Sequence, residues 1–379
     1  MVRQQPEPDP SSWWDRYGHR VVAARDRAGT GLFGGTVHET GSAAADGGGD
    51  PATDTTTATA VSDDRAAAAP DGTDDGSARE ELTGDSILRA RPDEPSFGWR
   101  RALLRASGGL VNPGPGAEEL RRRDVLHRIR RPLVRSHRIA VTSIKGGVGK
   151  TTVSTLLGLV MAEHRGDRVV ALDANPDAGT LADRLTGESS VTVRELLRDL
   201  HRIDSWTEVS RYTSLAGRLQ VLASEQDPAA GDAFNRQEYE QICALLDRFF
   251  NVIITDSGTG LVHSAMEGTL KLADSVIIVG APTVDGAGRA AKTLDWMHAH
   301  GHGPLAAEAV AVLSCDRTSV DVDLPRIREH FAARCRAVIE IPHDPHLATG
   351  GRVRLDRLRP RTRDAAYELA AAMADRFVP

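Results

Sequence analysis

The stretch RIAVTSIKGGVGKTTVSTLLGLVMAEH, Arg138–His164, decides how the rest of the chain is read. Its opening six residues are a short apolar, β-branched run that reads as a strand, and TVSTLLGLVMAEH carries a helical pattern. Between them lies IKGGVGKTT, Ile144–Thr152. Glycines there let the chain curl so that successive backbone N–H groups point inward, and with the helix N-terminus they form an anion cradle. Gly146, Gly147, Val148, Gly149 and Thr152 are thus expected around a phosphate chain, with Lys150 on its β and γ phosphates and the Thr151 hydroxyl on Mg²⁺. The chain contains only four lysines, Lys145, Lys150, Lys271 and Lys292, and two of them stand in this loop. A mere structural turn does not account for that placement.

Downstream the same texture continues. RVVALD, RLQVLAS, NVIITD, DSVIIVG, EAVAVLS and RAVIEIP read as further strands, separated in most cases by helical patterns such as QEYEQICALLDRFF and GRAAKTLDWMHAH. Continuous apolar strands alternating with helices predict a doubly wound α/β domain over 138–379, its mostly parallel sheet covered by helices on both faces. A carboxylate at the end of a second buried strand is expected to complete the metal site, and FFNVIITD supplies Asp256, followed by a flexible Ser-Gly-Thr-Gly turn.

Upstream, the composition separates two further regions. Residues 97–137 are a basic helical segment: from Gly98 to Arg138 there are 11 arginines against Glu118, Glu119 and Asp124, arranged as two helices split by VNPGPG. Residues 1–96 read as a low-complexity tail; Thr40–Ser96 alone has 13 acidic and 4 basic residues and too little apolar material to offset its ordering entropy. Trp13 and Trp14 mark a candidate docking peptide within that tail.

For the 379 residues as a whole the net charge is −6, which excludes a generally basic nucleic-acid coat. Cys243, Cys315 and Cys335 are too scattered for a disulfide framework or for a zinc or iron–sulfur site. No run approaches the ~18 apolar residues of a membrane span. The expectation is a cytoplasmic protein that reaches the inner face of the membrane through a partner and not by insertion. His343 and His346 read as loop histidines without metal.

The strict GxxxxGK[ST] pattern fails at Ile144, and what stands instead is KGGVGKT. This loop resembles the deviant Walker A motif of the ParA/MinD ATPases, the SIMIBI branch of P-loop proteins, over about Arg138–Pro379. The resemblance implies ATP and Mg²⁺ as ligands and an ATP-bound homodimer in which Lys145 reaches the partner subunit's phosphates. It makes Asp256 a Walker B carboxylate and ALDANPDAGTLADRL a switch I segment, with Lys145, Lys150, Asp173 and Asn175 as the catalytic set. In place of the family's second Asp stands Asn175, which hydrogen-bonds water but takes no proton, so slow hydrolysis is expected, or substitution by Asp173 or Asp177. IPHDP resembles the loop beside the adenine, giving Pro342 and Asp344; the preceding strand ends in Ser314-Cys315-Asp316 where family members often carry Asn.

Within the family, iron–sulfur carriers need cysteines that are absent and the tyrosine kinases need a C-terminal tyrosine cluster. The Ala-rich ending DAAYELAAAMADRFVP is too weak for membrane insertion of the MinD kind. FGWRRALLRASGGLVNPGPGAEELRRR joined to the P-loop domain resembles an actinobacterial subfamily that includes the EspI-type ATPases of ESX (type VII) secretion. This implies a dimerisation switch for a membrane-bound secretion machine, with secretion subunits docking on the N-terminal arm or the basic linker. Two alternatives stand beside it. One is a partition ATPase acting on chromosomal DNA through Arg352–Arg363, disfavoured because Ile139–Pro379 carries 27 basic and 32 acidic residues. The other is a nucleotide-sensing scaffold with little hydrolysis.

Overall fold

Valine and isoleucine runs flanked by helices have one economical arrangement, a sheet whose two faces are both buried. The computed structural model, which describes residues 93–175, 179–187, 191–225, 235–258, 264–316 and 321–377, has this arrangement. The acidic tail up to residue 92, Trp13, Trp14, Asp177 and Arg317 lie outside the described residues.

The strands are β1 His137–Thr142, β2 Val169–Ala174, β3 Ser214–Ala216, β4 Leu219–Leu222, β5 Val252–Ser257, β6 Ser275–Gly280, β7 Val310–Cys315 and β8 Ala337–Pro342. They form one sheet in the order β3-β4-β2-β5-β1-β6-β7-β8, antiparallel only between β3 and β4. The longer helices are α1 Gly98–Ala106, α2 Ala117–Ile129, α3 Lys150–His164, α4 Arg236–Leu246, α5 Ser264–Leu272, α6 Val284–Ala299, α7 Leu324–Ala332 and α8 Pro360–Ala374. The seven strand readings and the two basic helices coincide with observed elements; β3 is an addition.

Alternation within β1 shows how the faces divide. Ile139 and Val141 pack with Leu156, Leu157 and Val160 of α3 and with the Ala370–Ala374 run of α8. Ala140, pointing the other way, joins Val276 and Ile278 of β6, Leu294 and Met297 of α6 and Phe331 of α7. Val170, Leu172 and Ile253 meet Tyr239, Ile242 and Leu246 of α4. The helices therefore enclose β1 and leave its C-terminal end as the place where loops meet.

The two basic helices differ in how they sit. In α2, Val125 and Ile129 enter the same core as α3 and α8, and Arg128 grips Asp375 through Nη2 at 2.6 Å and Nε at 3.1 Å. Helix α1 buries no residue. No described helix is long and apolar enough to cross a membrane.

Candidate functional site: a phosphate cradle with two buried carboxylates

At the end of β1 the chain turns sharply enough to require two left-handed residues, Gly147 at φ 72° and Gly149 at φ 96°. A Cβ at Gly149 would also lie 3.0 Å from Ser314 Oγ on β7, a tight contact that adds to the conformational demand for glycine. Val148 is buried and pins the loop between them. Helix α3 starts at Lys150, aiming its first backbone N–H groups at a cavity of about 710 Å³. Lys145 to Thr152 line one wall, and Pro342 and Asp344 another, so both sets of sequence candidates come to one place.

Behind the loop lies a cluster of buried charge. Lys150 is 8% exposed, and burial lowers its pKa against the pull of Asp256. Asp256 is 3% exposed; burial pushes its carboxyl up to about 6, while hydroxyls of Thr151 and Ser154 and the Lys150 ammonium draw it down. Ser154 Oγ donates to Asp256 Oδ1 at 3.0 Å. Asp173 is the direct cross-strand neighbour of Asp256 in the β2–β5 register. Burial and then the charge of Asp256 push the Asp173 carboxyl up to about 7.

Asp173 and Asn175 are brought together, in unequal positions. Both oxygens of Asp173 accept backbone N–H groups, Asn175 N at 3.1 Å and Leu181 N at 3.0 Å. Gly179 lies so near that a Cβ there would be 2.0 Å from Asp173 Oδ1. The carboxylate thus anchors the backbone of Asn175 and Leu181, whereas the Asn175 side chain is only half-buried.

Lys145 stands at the rim, and its Nζ donates to Asp285 Oδ2 at 2.5 Å, in the first turn of α6. That hydrogen bond, and then one from Arg289, lowers the Asp285 pKa. Asp344 is 2% exposed and accepts N–H groups from His346 at 2.9 Å and Arg359 at 2.8 Å. Its carboxylate therefore shapes the loop after β8. His343 Nδ1 lies 2.9 Å from Asp316 Oδ1, and His346 Nε2 accepts from Arg354 N.

Three contributors escaped the sequence reading. Ser154 lies one turn beyond Thr151 on the same helix, a spacing that could have marked it. Asp285 sits in the VGAPTVDGAGRA segment, and Arg184, in ALDANPDAGTLADRL, donates to Thr152 Oγ1 at 2.6 Å. Neither Asp285 nor Arg184 has a local signal, because their partners are distant in sequence.

The residues present fit a Mg²⁺–nucleotide ligand. Backbone N–H groups and the Lys150 ammonium suit a phosphate chain, and a desolvated carboxylate already bonded to hydroxyls suits a hard cation that favours oxygen ligands. Thr151 and Asp256 would hold the metal.

Comparisons with known proteins bear on the family and the fold. EspI of Mycobacterium tuberculosis, an ESX-1 secretion-associated protein, is 33% identical over 283 residues, 74% of this chain and 42% of its own length; the chain thus spans less than half of that relative. The fold is shared with a ParA family ATPase from Chlorobium tepidum, at TM-score 0.55 and 18% identity over 62% of this chain and 98% of that one. It is shared as well with the septum site-determining protein MinD of Pyrococcus horikoshii, solved with Mg-ADP, at TM-score 0.50 and 22% identity over 62% and 94%. The model of the CobQ/CobB/MinD/ParA nucleotide binding domain matches residues 139–332, and on that match, together with the glycine bend at the end of β1, the chain belongs to the ParA/MinD family of nucleotide-binding proteins.

Proposed function

We propose that this protein is an ATP-dependent dimerisation switch with slow Mg²⁺-dependent hydrolysis. The observation that carries the reading is the pair of loop lysines in different settings: Lys150 buried against Asp256, Lys145 at the rim on a carboxylate of its own chain.

Lys150 and the first N–H groups of α3 bind and orient the phosphate chain and offset charge that builds on it during in-line attack by water. Mg²⁺ bound by Thr151 and Asp256 supplies charge neutralisation on the phosphate oxygens. Lys145 exchanges Asp285 for the phosphates of a second protomer, which makes ATP the link between two chains. Asp173 is a positioning residue here: its two hydrogen bonds hold the segment that presents Asn175, and the Asn175 amide orients water without taking its proton. Slow turnover follows.

The likeness to EspI supports a role in regulating or positioning a membrane-associated secretion machine, with protein partners on the N-terminal arm or the basic helices. Phosphate release per chain should rise with protein concentration and fall to background in Lys150→Ala. A rate per chain independent of concentration would contradict the dimer, and dimerisation with no release would turn the switch into a scaffold. Asn175→Asp should then raise turnover about a hundredfold or more, in the range general-base catalysis supplies.

A further inference from the structure

A second cavity, of about 820 Å³, lies away from the nucleotide site. Five arginines from separate parts of the fold converge on it: Arg122 of α2, Arg218 in the β3–β4 turn, Arg352 and Arg354 in the segment before α8, and Arg363 of α8. Against them stand only Glu163 and Asp356 among the described lining residues. Arg354 is bound to Asp356 through Nη2 at 2.6 Å and Nε at 3.1 Å. Arg122, Arg218, Arg352 and Arg363 form no ion pair within 4.0 Å among the described residues, although Asp364 beside the cavity feels the charge of Arg363 and Arg122.

The remainder of the lining is apolar, including Leu159, Leu185, Leu215, Val353 and the Tyr367 ring. Tyr367 Oη is fixed by His164 Nε2 at 2.7 Å. The arginine segment is fixed too: Val353 N donates to Arg184 O at 2.8 Å and Arg354 N to His346 Nε2 at 3.0 Å. The guanidinium groups thus rise from anchored backbone, around a volume within the range of small-molecule pockets.

We propose that this cavity binds a phosphate-bearing ligand of nucleotide size, its phosphates on Arg352, Arg363 and their neighbours and its less polar part against Tyr367 and the leucines. Guanidinium forks match phosphate oxygens in pairs, and five arginines against two carboxylates in the lining favour several phosphate charges over one carboxylate. The cavity is open to solvent on one side, but its arginines come from four separate parts of the fold around about 820 Å³, which suits a compact ligand that several guanidinium groups reach at once.

The test is calorimetric titration of inorganic tripolyphosphate into the full chain carrying Lys150→Ala, which disables the P-loop. Binding is expected to persist, to fall at least tenfold when Arg352→Ala and Arg363→Ala are added, and to be unchanged by Arg101→Ala and Arg105→Ala on exposed α1. Circular dichroism and melting confirm that each variant is folded. Loss of binding in Lys150→Ala alone would overturn the proposal, as would undiminished binding in a folded Arg352→Ala/Arg363→Ala chain. Co-sedimentation with phosphatidylcholine vesicles containing a phosphatidylinositol phosphate, lost in the arginine variant, would assign the phosphate to a lipid headgroup; tripolyphosphate binding without co-sedimentation assigns it to a soluble ligand. Duplex DNA bound more tightly than tripolyphosphate, and weakened by Arg357→Ala and Arg361→Ala outside the cavity, would replace the compact ligand with nucleic acid.

Discussion

In the proposed switch, Asp285 competes for Lys145, the lysine assigned to the partner's phosphates. It is exposed and so is much of Lys145, so their ion pair is weak and readily exchanged, which suits a contact that must break when the nucleotide arrives. Asp285→Asn should raise the dimer fraction by a few-fold at sub-saturating ATP, read by sedimentation; an unchanged or lower fraction would mean that Asp285 does not restrain Lys145. The buried carboxylates make a different prediction. Both Asp173 and Asp256 titrate above the ordinary carboxylate range when folded, so between about pH 4 and 7 the native state holds more protons than the unfolded chain. Stability of the nucleotide-free protein should therefore decline as pH rises through that window. In Asp256→Asn the decline should be smaller by about 2 kcal/mol, measured by urea unfolding at pH 5 and pH 8. Lys150, Thr151 and Asp256 were legible because each stands at a strand end or in a contiguous loop. The tasks of Asp173 and Asp344 were not, since a sequence shows a carboxylate without showing which backbone N–H groups it accepts.

Among elements, α2 and the segment after β2 are the informative ones. Ile129 at the end of α2 is fully buried, and Arg165 Nη1 donates to its carbonyl at 2.6 Å. Ile129→Ala should cost about 2–5 kcal/mol in denaturant unfolding, as for any large-to-small change in a core. A loss below 0.5 kcal/mol would show α2 to be a detachable linker. At Gly179 any side chain collides with Asp173. Gly179→Ala should destabilise by about 1–3 kcal/mol and weaken nucleotide binding, because the tie between Asp173 and the Leu181 N–H must shift. The strands were readable because doubly buried strands are continuous apolar runs. Three-residue β3 was too short for any period to show. The second basic helix was recognised by its Pro stop, but its charge hid its packing: Glu119 is buried and satisfied by Ser96 and Arg123.

At the scale of the whole molecule, strand order places the site. With β1 between β5 and β6, the C-terminal ends of β1, β2 and β5 lie side by side, and the β7 and β8 loops close the far wall. Ligands of open α/β sheets bind at this edge. The family was legible because its chemistry is concentrated in one contiguous loop; the partner was not, because partner choice resides in surface shape. The central claim, that nucleotide joins two chains through Lys145, is tested most directly by the mass of the particle in solution. Light scattering coupled to size exclusion, with Mg²⁺ and a non-hydrolysable ATP analogue, should give twice the chain mass for the parent and a single chain mass for Lys145→Ala that still binds the analogue. Equal masses for the two proteins, whether both single or both double, would contradict it.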